Sequence, residues 1–143
     1  MGVSILLRIT SLIALFQYCV HAFLFLTATP SHGEDEINLI QAMKFYHWSF
    51  KGFTRSYWNF YFGYGLLAIL WGLIEVILLW QLSIFAKNFT LPVRSMIAVL
   101  FFANLGHAIL TLRYFFLIPA IFDFIVAIFL ALSFFKANAD PPE

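Results

Sequence analysis

Hydrophobic and polar positions in this chain segregate on the scale of whole elements. Residues 5–26 are apolar almost throughout, long enough as a helix to cross a ~30 Å hydrocarbon core. Comparable apolar runs follow at 58–82, 92–112 and 117–135. Between the first two, Thr27 to Asp35 reads as a loop, broken by Pro30 and Gly33 and ending in the acids Glu34, Asp35 and Glu36, which suit the positive end of a following helix. From 37 to 55 the period is helical. Leu39, Met43, Tyr46, Phe50 and Phe53 recur at steps of four and three, with Gln41, Lys44, Trp48, Lys51 and Arg55 on the opposite face. The pattern predicts a basic amphipathic helix, lying in the membrane interface or capping the bundle mouth.

The expected fold is therefore all-α: a single membrane domain, an integral four-helix bundle with an interfacial helix between its first two spans. A retained first span is expected rather than a cleaved signal peptide. The run is long for such a peptide and carries Gln17 and His21 near its far end. Span two opens with the aromatic run Tyr57, Trp58, Phe60, Tyr61, Phe62 and Tyr64, which with Trp71 and Trp80 fits interfacial belts. Its Gly65, Ala68, Gly72 and Glu75, at steps of three and four, present a small-residue face for a neighbouring helix. Pro92 suits the first turn of span three, where a missing N–H costs nothing.

Composition agrees with the pattern. The 143 residues are 63% hydrophobic and 20% aromatic, with only 10% charged and a mean hydropathy of +0.92. Soluble domains carry about 25% charged residues. The net charge of +1 says nothing about nucleic acid, and there is no basic block to suggest such a partner. The positive-inside rule does not orient the chain. Arg8, Lys87, Arg94 and Lys136 fall on the side of the termini, and Lys44, Lys51, Arg55 and Arg113 on the other. Cys19 is the only cysteine; it excludes an intramolecular disulfide and is expected to pack as a small hydrophobe. Asn88-Phe89-Thr90 matches a glycosylation sequon but lies close to a span. The tail from Lys136 is polar and Pro-rich, and is expected to fray.

The candidate chemistry lies in the polar residues inside the spans. At 1.5 Å per residue, Gln17, His21, Asn104, His107 and Asp123 all fall within ~10 Å of their helix midpoints, on the side of the long first loop. Tyr61 and Tyr64 enter the same half from span two. Glu75 falls ~8 Å to the other side, near the depth of Arg8. The helical wheel, however, turns Arg8 about 180–220° away from Gln17 and His21, toward lipid, where it would snorkel. Gln17 and Asn104 read as bonds between helices. His21, His107 and Asp123 carry a functional reading, because an ionised Asp costs about 2.5–3.5 kcal/mol near a helix centre. An Asp123–His107 bond or a protonated Asp123 is expected. Such a pair can be structural, move a proton or line a pocket. No metal, cofactor or nucleophilic site is expected: the H-E-x-x-H spacing and a Gly-rich phosphate loop are missing, and no Ser or Cys adjoins a His within the spans.

The strings HWSFKGFTRSYWNFYFGYGL (His47 to Leu66), WQL (Trp80 to Leu82) and RYFFLIP (Arg113 to Pro119) resemble a group of small, uncharacterised bacterial four-span membrane proteins. The resemblance covers most of the chain from the amphipathic helix onward. It implies a multi-pass protein of the bacterial inner membrane and brings no activity with it. The layout is also similar to that of the EXPERA group of sterol isomerases and sterol-binding receptors, which use intramembrane carboxylates near a lipophile pocket. No motif of that group matches here, so that likeness assigns no residue.

Three function classes follow. The preferred one binds a small lipophile (sterol, quinone or isoprenoid) at Gln17, His21, Tyr64, Asn104, His107 and Asp123, with the amphipathic helix as lid. The second is an accessory or scaffold subunit of a larger membrane complex. The third is an acid–base enzyme such as an isomerase, with Asp123 or Glu75 as acid–base residue and a histidine such as His107 as partner. The partners expected are the lipid bilayer, a lipophilic ligand or a membrane protein, and no nucleic acid.

Overall fold

The computed structural model of the protein describes residues 2–88 and 90–139. The sequon at Asn88 and the polar tail therefore lie partly outside the described residues. The elements run α1 (Val3–Thr27), α2 (Glu34–Phe45), β1 (His47–Phe50), β2 (Phe53–Ser56), α3 (Tyr57–Phe85), α4 (Thr90–Tyr114) and α5 (Leu117–Ala139). Among the described residues four helices are long and apolar enough to cross a membrane: Val3–Thr27, Tyr57–Phe85, Pro92–Tyr114 and Leu117–Ala137. The protein is thus a helical, multi-pass membrane protein by the length and composition of its helices. Its chain forms two compact units, one from Met1–Cys19 and Gly72–Glu143, the other from Val20–Trp71. Helices α1 and α3 contribute to both.

The first unit holds residues 3–19 of α1, residues 72–85 of α3, and α4 and α5. Its interior is aliphatic and small: Leu7, Leu79, Ile97, Val126 and Leu130 are buried with Ala14, Ala108 and Ala127. Small side chains let membrane helices approach until backbone groups come within reach of hydroxyls. Ser4 Oγ donates to the carbonyl of Ser83 at 2.6 Å and Ser11 Oγ to that of Val76 at 2.9 Å. Both bonds tie α1 to α3. Gly72 lies under the ring of Tyr18, which occupies the space a Cβ would need. Arg8 does not turn out to lipid: it is half-buried, with its guanidinium 5.4 Å above the Trp80 ring. Cys19 lies on the exposed face of α1 rather than in the packing.

The second unit corrects the expected amphipathic helix over 37–55. Helix α2 begins earlier, at Glu34, and ends at Phe45, and residues 47–56 form an antiparallel hairpin. His47 pairs with Ser56, Trp48 with Arg55, Ser49 with Thr54 and Phe50 with Phe53. The turn residues Lys51 and Gly52 both have positive φ, at 47° and 84°, the combination that matches the twist of a two-residue hairpin. Two short runs rich in aromatic residues and Thr, separated by Lys-Gly, carry the hairpin signal. The helical spacing of Tyr46, Phe50 and Phe53 is coincidental, because Phe50 and Phe53 are a cross-strand pair.

The start of α2 is organised by Glu36. Its Oε2 accepts the backbone N–H groups of Ser31 at 2.6 Å and His32 at 2.8 Å. These bonds, His32 first, hold the carboxyl below its ordinary range. The α2–hairpin segment is fastened to α3 by rings. Trp48 stacks on Phe60 at 5.1 Å and meets Tyr57 at 4.6 Å, and Lys44 Nζ lies 4.8 Å over Trp58. Further along α3, Gly65 makes room for Phe25, whose ring also meets Tyr61 and Phe62. Trp71 lies near the middle of α3, about 21 Å from either end, too deep for the headgroup belt expected of it.

Candidate functional site

The polar residues of the first unit form a network around two carboxylates. Asp123 of α5 is 1% exposed. Gln17 Nε2 of α1 donates to its Oδ1 at 2.5 Å. His107 Nδ1 of α4 stands 3.1 Å from its Oδ2. That distance suits charge attraction, but the geometry is not that of an aligned hydrogen bond, and Oδ2 is buried without a well-directed donor. Glu75 of α3 is bonded at both oxygens. Tyr18 of α1 donates its phenol to Oε2 at 2.9 Å, and Asn104 Nδ2 of α4 donates to Oε1. Asn104 also donates to the Leu100 carbonyl at 3.0 Å.

The connectivity follows from helix geometry. Gln17 and Tyr18 are consecutive, so they project about 100° apart and serve different acceptors. Asn104 and His107 are three residues apart, share one face of α4, and again reach different carboxylates. Helices α1 and α4 therefore each give one contact to Asp123 and one to Glu75, joining all four helices of the unit. The cluster is closed by these direct contacts.

Glu75 is the main correction. It is expected apart from the other polar groups, yet it sits within the network, and its partners are Tyr18 and Asn104, not Arg8. Depth along the axis misplaces it because side chains on a helix lean toward that helix's N-terminus. Helices α3 and α4 are joined by a short link and run in opposite directions. Glu75 and Asn104 consequently lean toward each other and close an axial offset of several ångströms. Tyr18 escapes a reading based on acids, amides and histidines. Its signal is a phenol deep in a span, where the hydroxyl needs a buried acceptor.

Gln17, Asn104, His107 and Asp123 are thus brought together with Glu75 and Tyr18. His21 and Tyr64, the remaining candidates, belong to the second unit. There His21 stacks on Phe25 at 6.1 Å with an interplanar angle of 11°. Tyr64 is 69% exposed and lines an open recess of about 290 Å³ with Arg55, Asn59, Phe60, Gly63 and Leu67. Among the described residues no group of three His, Cys, Asp or Glu side chains could hold a metal ion.

Chemically, the cluster pairs two intramembrane carboxylates with amide, phenol and imidazole groups. His107 connects it to the outside: its side chain is 53% exposed while that of Asp123 is 2% exposed. Ala103, Gly106 and Leu110 are exposed on the same stretch of α4, and a Cβ added at Gly106 would meet nothing within 4 Å. No family model, curated protein or solved structure matches the chain.

Proposed function

We propose that the protein is an accessory or scaffold subunit of a larger membrane assembly, acting through the outer faces of its bundle. The observation that carries this reading is the closure of the polar cluster by direct contacts between its own helices. Polar groups that bond one another hold membrane helices together, at about 0.6 kcal/mol per contact on average. The outward stretch Ala103, Gly106, His107 and Leu110 supports the same reading, because small residues beside one polar group suit close helix docking in lipid. We place the chain in a bacterial inner membrane, with α2 and its hairpin at the interface. The test is extraction from native membranes in mild detergent, followed by sizing and photo-crosslinking from position 106. A complex with a defined second protein is expected, and it should survive Asp123→Asn, which changes a side chain inside the bundle. A chain that extracts only as a monomer would overturn the reading.

A second reading, binding of a small lipophile at Gln17, His21, Tyr64, Asn104, His107 and Asp123, is favoured by one observation. The half-exposed His107 leads to a buried Asp123 oxygen without a well-directed donor. Under it, the purified protein retains a lipophile detectable by native mass spectrometry, and the double change His107→Asn and Asp123→Asn releases it.

A further inference from the structure

The recess at the start of α3 lies in the second unit and is not part of the polar cluster. Its lining residues Asn59, Phe60, Gly63, Tyr64 and Leu67 recur at steps of one, three, one and three, so they occupy one face of α3. Arg55, the penultimate residue of β2, closes its upper end. The lining is graded by depth. From Arg55 at the helix entrance to Leu67 the chain descends at 1.5 Å per helical residue, so the recess spans roughly 15–18 Å. A cation and an amide stand at the top, a phenol in the middle, and Phe60 and Leu67 make the apolar walls.

The polar groups are placed to donate. The side-chain oxygen of Asn59 is engaged by Ser56, whose backbone N–H and hydroxyl both donate to it, at 2.9 and 3.1 Å. That fixes the side chain and leaves its amide N–H groups as the outward function. Tyr64 leans toward the N-terminus of α3, and so toward the Arg55 end. Arg55 uses one guanidinium nitrogen on the Thr54 carbonyl at 2.8 Å and has further N–H groups to offer. The wall is held in place by the stacking of Trp48 on Phe60, and a Cβ added at Gly63 would meet nothing within 4 Å.

The charge setting is one-sided. No carboxylate occurs between Glu36 and Glu75, whereas Lys44, Lys51 and Arg55 all fall in that interval. A span that begins one residue after the hairpin places Arg55 where phospholipid headgroups lie. We infer that this recess is a binding site for one anionic phospholipid, its phosphate held by Arg55 and Asn59 and an acyl chain running past Tyr64 to Leu67. A guanidinium suits the phosphate through paired N–H donors, and the neighbouring lysines favour a headgroup with net negative charge.

The test titrates the purified full-length protein in detergent with dioleoylphosphatidylglycerol or dioleoylphosphatidylcholine, counting bound lipids by native mass spectrometry. One phosphatidylglycerol should bind in clear preference to phosphatidylcholine. Arg55→Gln should weaken it about fivefold, the effect of one cation near an anionic lipid. Gly63→Leu, which fills the recess from a half-buried position with open space around its Cβ, should remove the bound lipid while circular dichroism stays unchanged. Lys51→Gln, on the same hairpin but outside the recess, should have a smaller effect than Arg55→Gln. Inorganic phosphate at millimolar concentration should not displace the lipid. Equal binding of the two lipids, equal effects of Lys51→Gln and Arg55→Gln, retention by Gly63→Leu, or displacement by phosphate would each overturn the site. These readouts concern residues 51–63 alone, so their failure leaves the accessory-subunit reading standing.

Discussion

Tyr18 donates its phenol to Glu75 Oε2 at 2.9 Å while its ring fills the space above Gly72, one helical turn before that carboxylate. A single side chain thus joins the polar network to the close packing of α1 on α3. The two functions separate by mutation. Tyr18→Phe keeps the ring and removes one intramembrane hydrogen bond, a loss of about 0.6 kcal/mol. Gly72→Ala inserts a methyl group where the ring lies and should cost about 1–3 kcal/mol. Combining Gly72→Ala with Tyr18→Ala should recover part of that loss. Thermal unfolding in detergent micelles measures all three.

Gly65 and Phe25 repeat the arrangement within the second unit, since a Cβ on Gly65 would overlap the Phe25 ring. Gly65→Ala should also destabilise by about 1–3 kcal/mol. Gly63→Ala, with open space around its added Cβ, should change stability by less than about 0.5 kcal/mol. The contrast between two glycines only two residues apart is read in the same unfolding experiment.

Asp123 interacts with α1 and α4 at once, so its replacement depends on what remains for Gln17 and His107. Asp123→Asn keeps a polar group of the same shape and should cost under about 1 kcal/mol. Asp123→Leu leaves both neighbours without their partner and should cost about 1–2 kcal/mol, at the usual worth of two intramembrane contacts. A double-mutant cycle of Gln17→Ala with Asp123→Leu should show coupling near 0.6 kcal/mol.

The hairpin turn needs positive φ at Lys51 and Gly52. Gly52→Ala should weaken the hairpin by about 1 kcal/mol, and Lys51→Asn should strengthen it slightly, because Asn tolerates the left-handed region. Hydrogen exchange at the amides of residues 47–56 should speed up in the first variant and slow in the second.

Glu36 gives a pH dependence outside the spans. Its carboxyl is held below its ordinary value of 4.5 by accepting the His32 and Ser31 amides. A lowered folded-state value means that the local stabilisation is fully present above 4.5 and is lost as pH falls through the lowered value. The Ser31 and His32 amides should therefore keep their protection down through the ordinary carboxyl range and lose it only at lower pH, and in Glu36→Gln that acid-dependent step should be absent.

The number and order of the spans were legible because each depends only on a local run of apolar residues. The hairpin was less legible, since aromatic residues at 46, 50 and 53 imitate a helical stripe while Lys51-Gly52 breaks it. Asp123 and His107 stand out as intramembrane ionisable groups, yet nothing local says that Gln17 takes the second Asp123 oxygen. Glu75 was visible as a residue and misplaced as a member of the cluster. Its lean toward the start of α3, together with the opposite lean of Asn104, enters only when two antiparallel helices are packed.

The sequence by itself determined that four helices suit a membrane and that a few polar groups must lie within them. These are consequences of solvent partition and backbone hydrogen bonding, which act residue by residue along a segment. Tertiary structure alone decided that α1 and α4 each give one contact to Asp123 and one to Glu75, that Tyr18 lies over Gly72, and that Arg8 lies over Trp80. Those pairings depend on how each helix is rotated and which helix stands beside it, and hydrophobic periodicity is too uniform here to set either. The close fits at Gly65 and Gly72, with the polar contacts of the cluster, set that rotation.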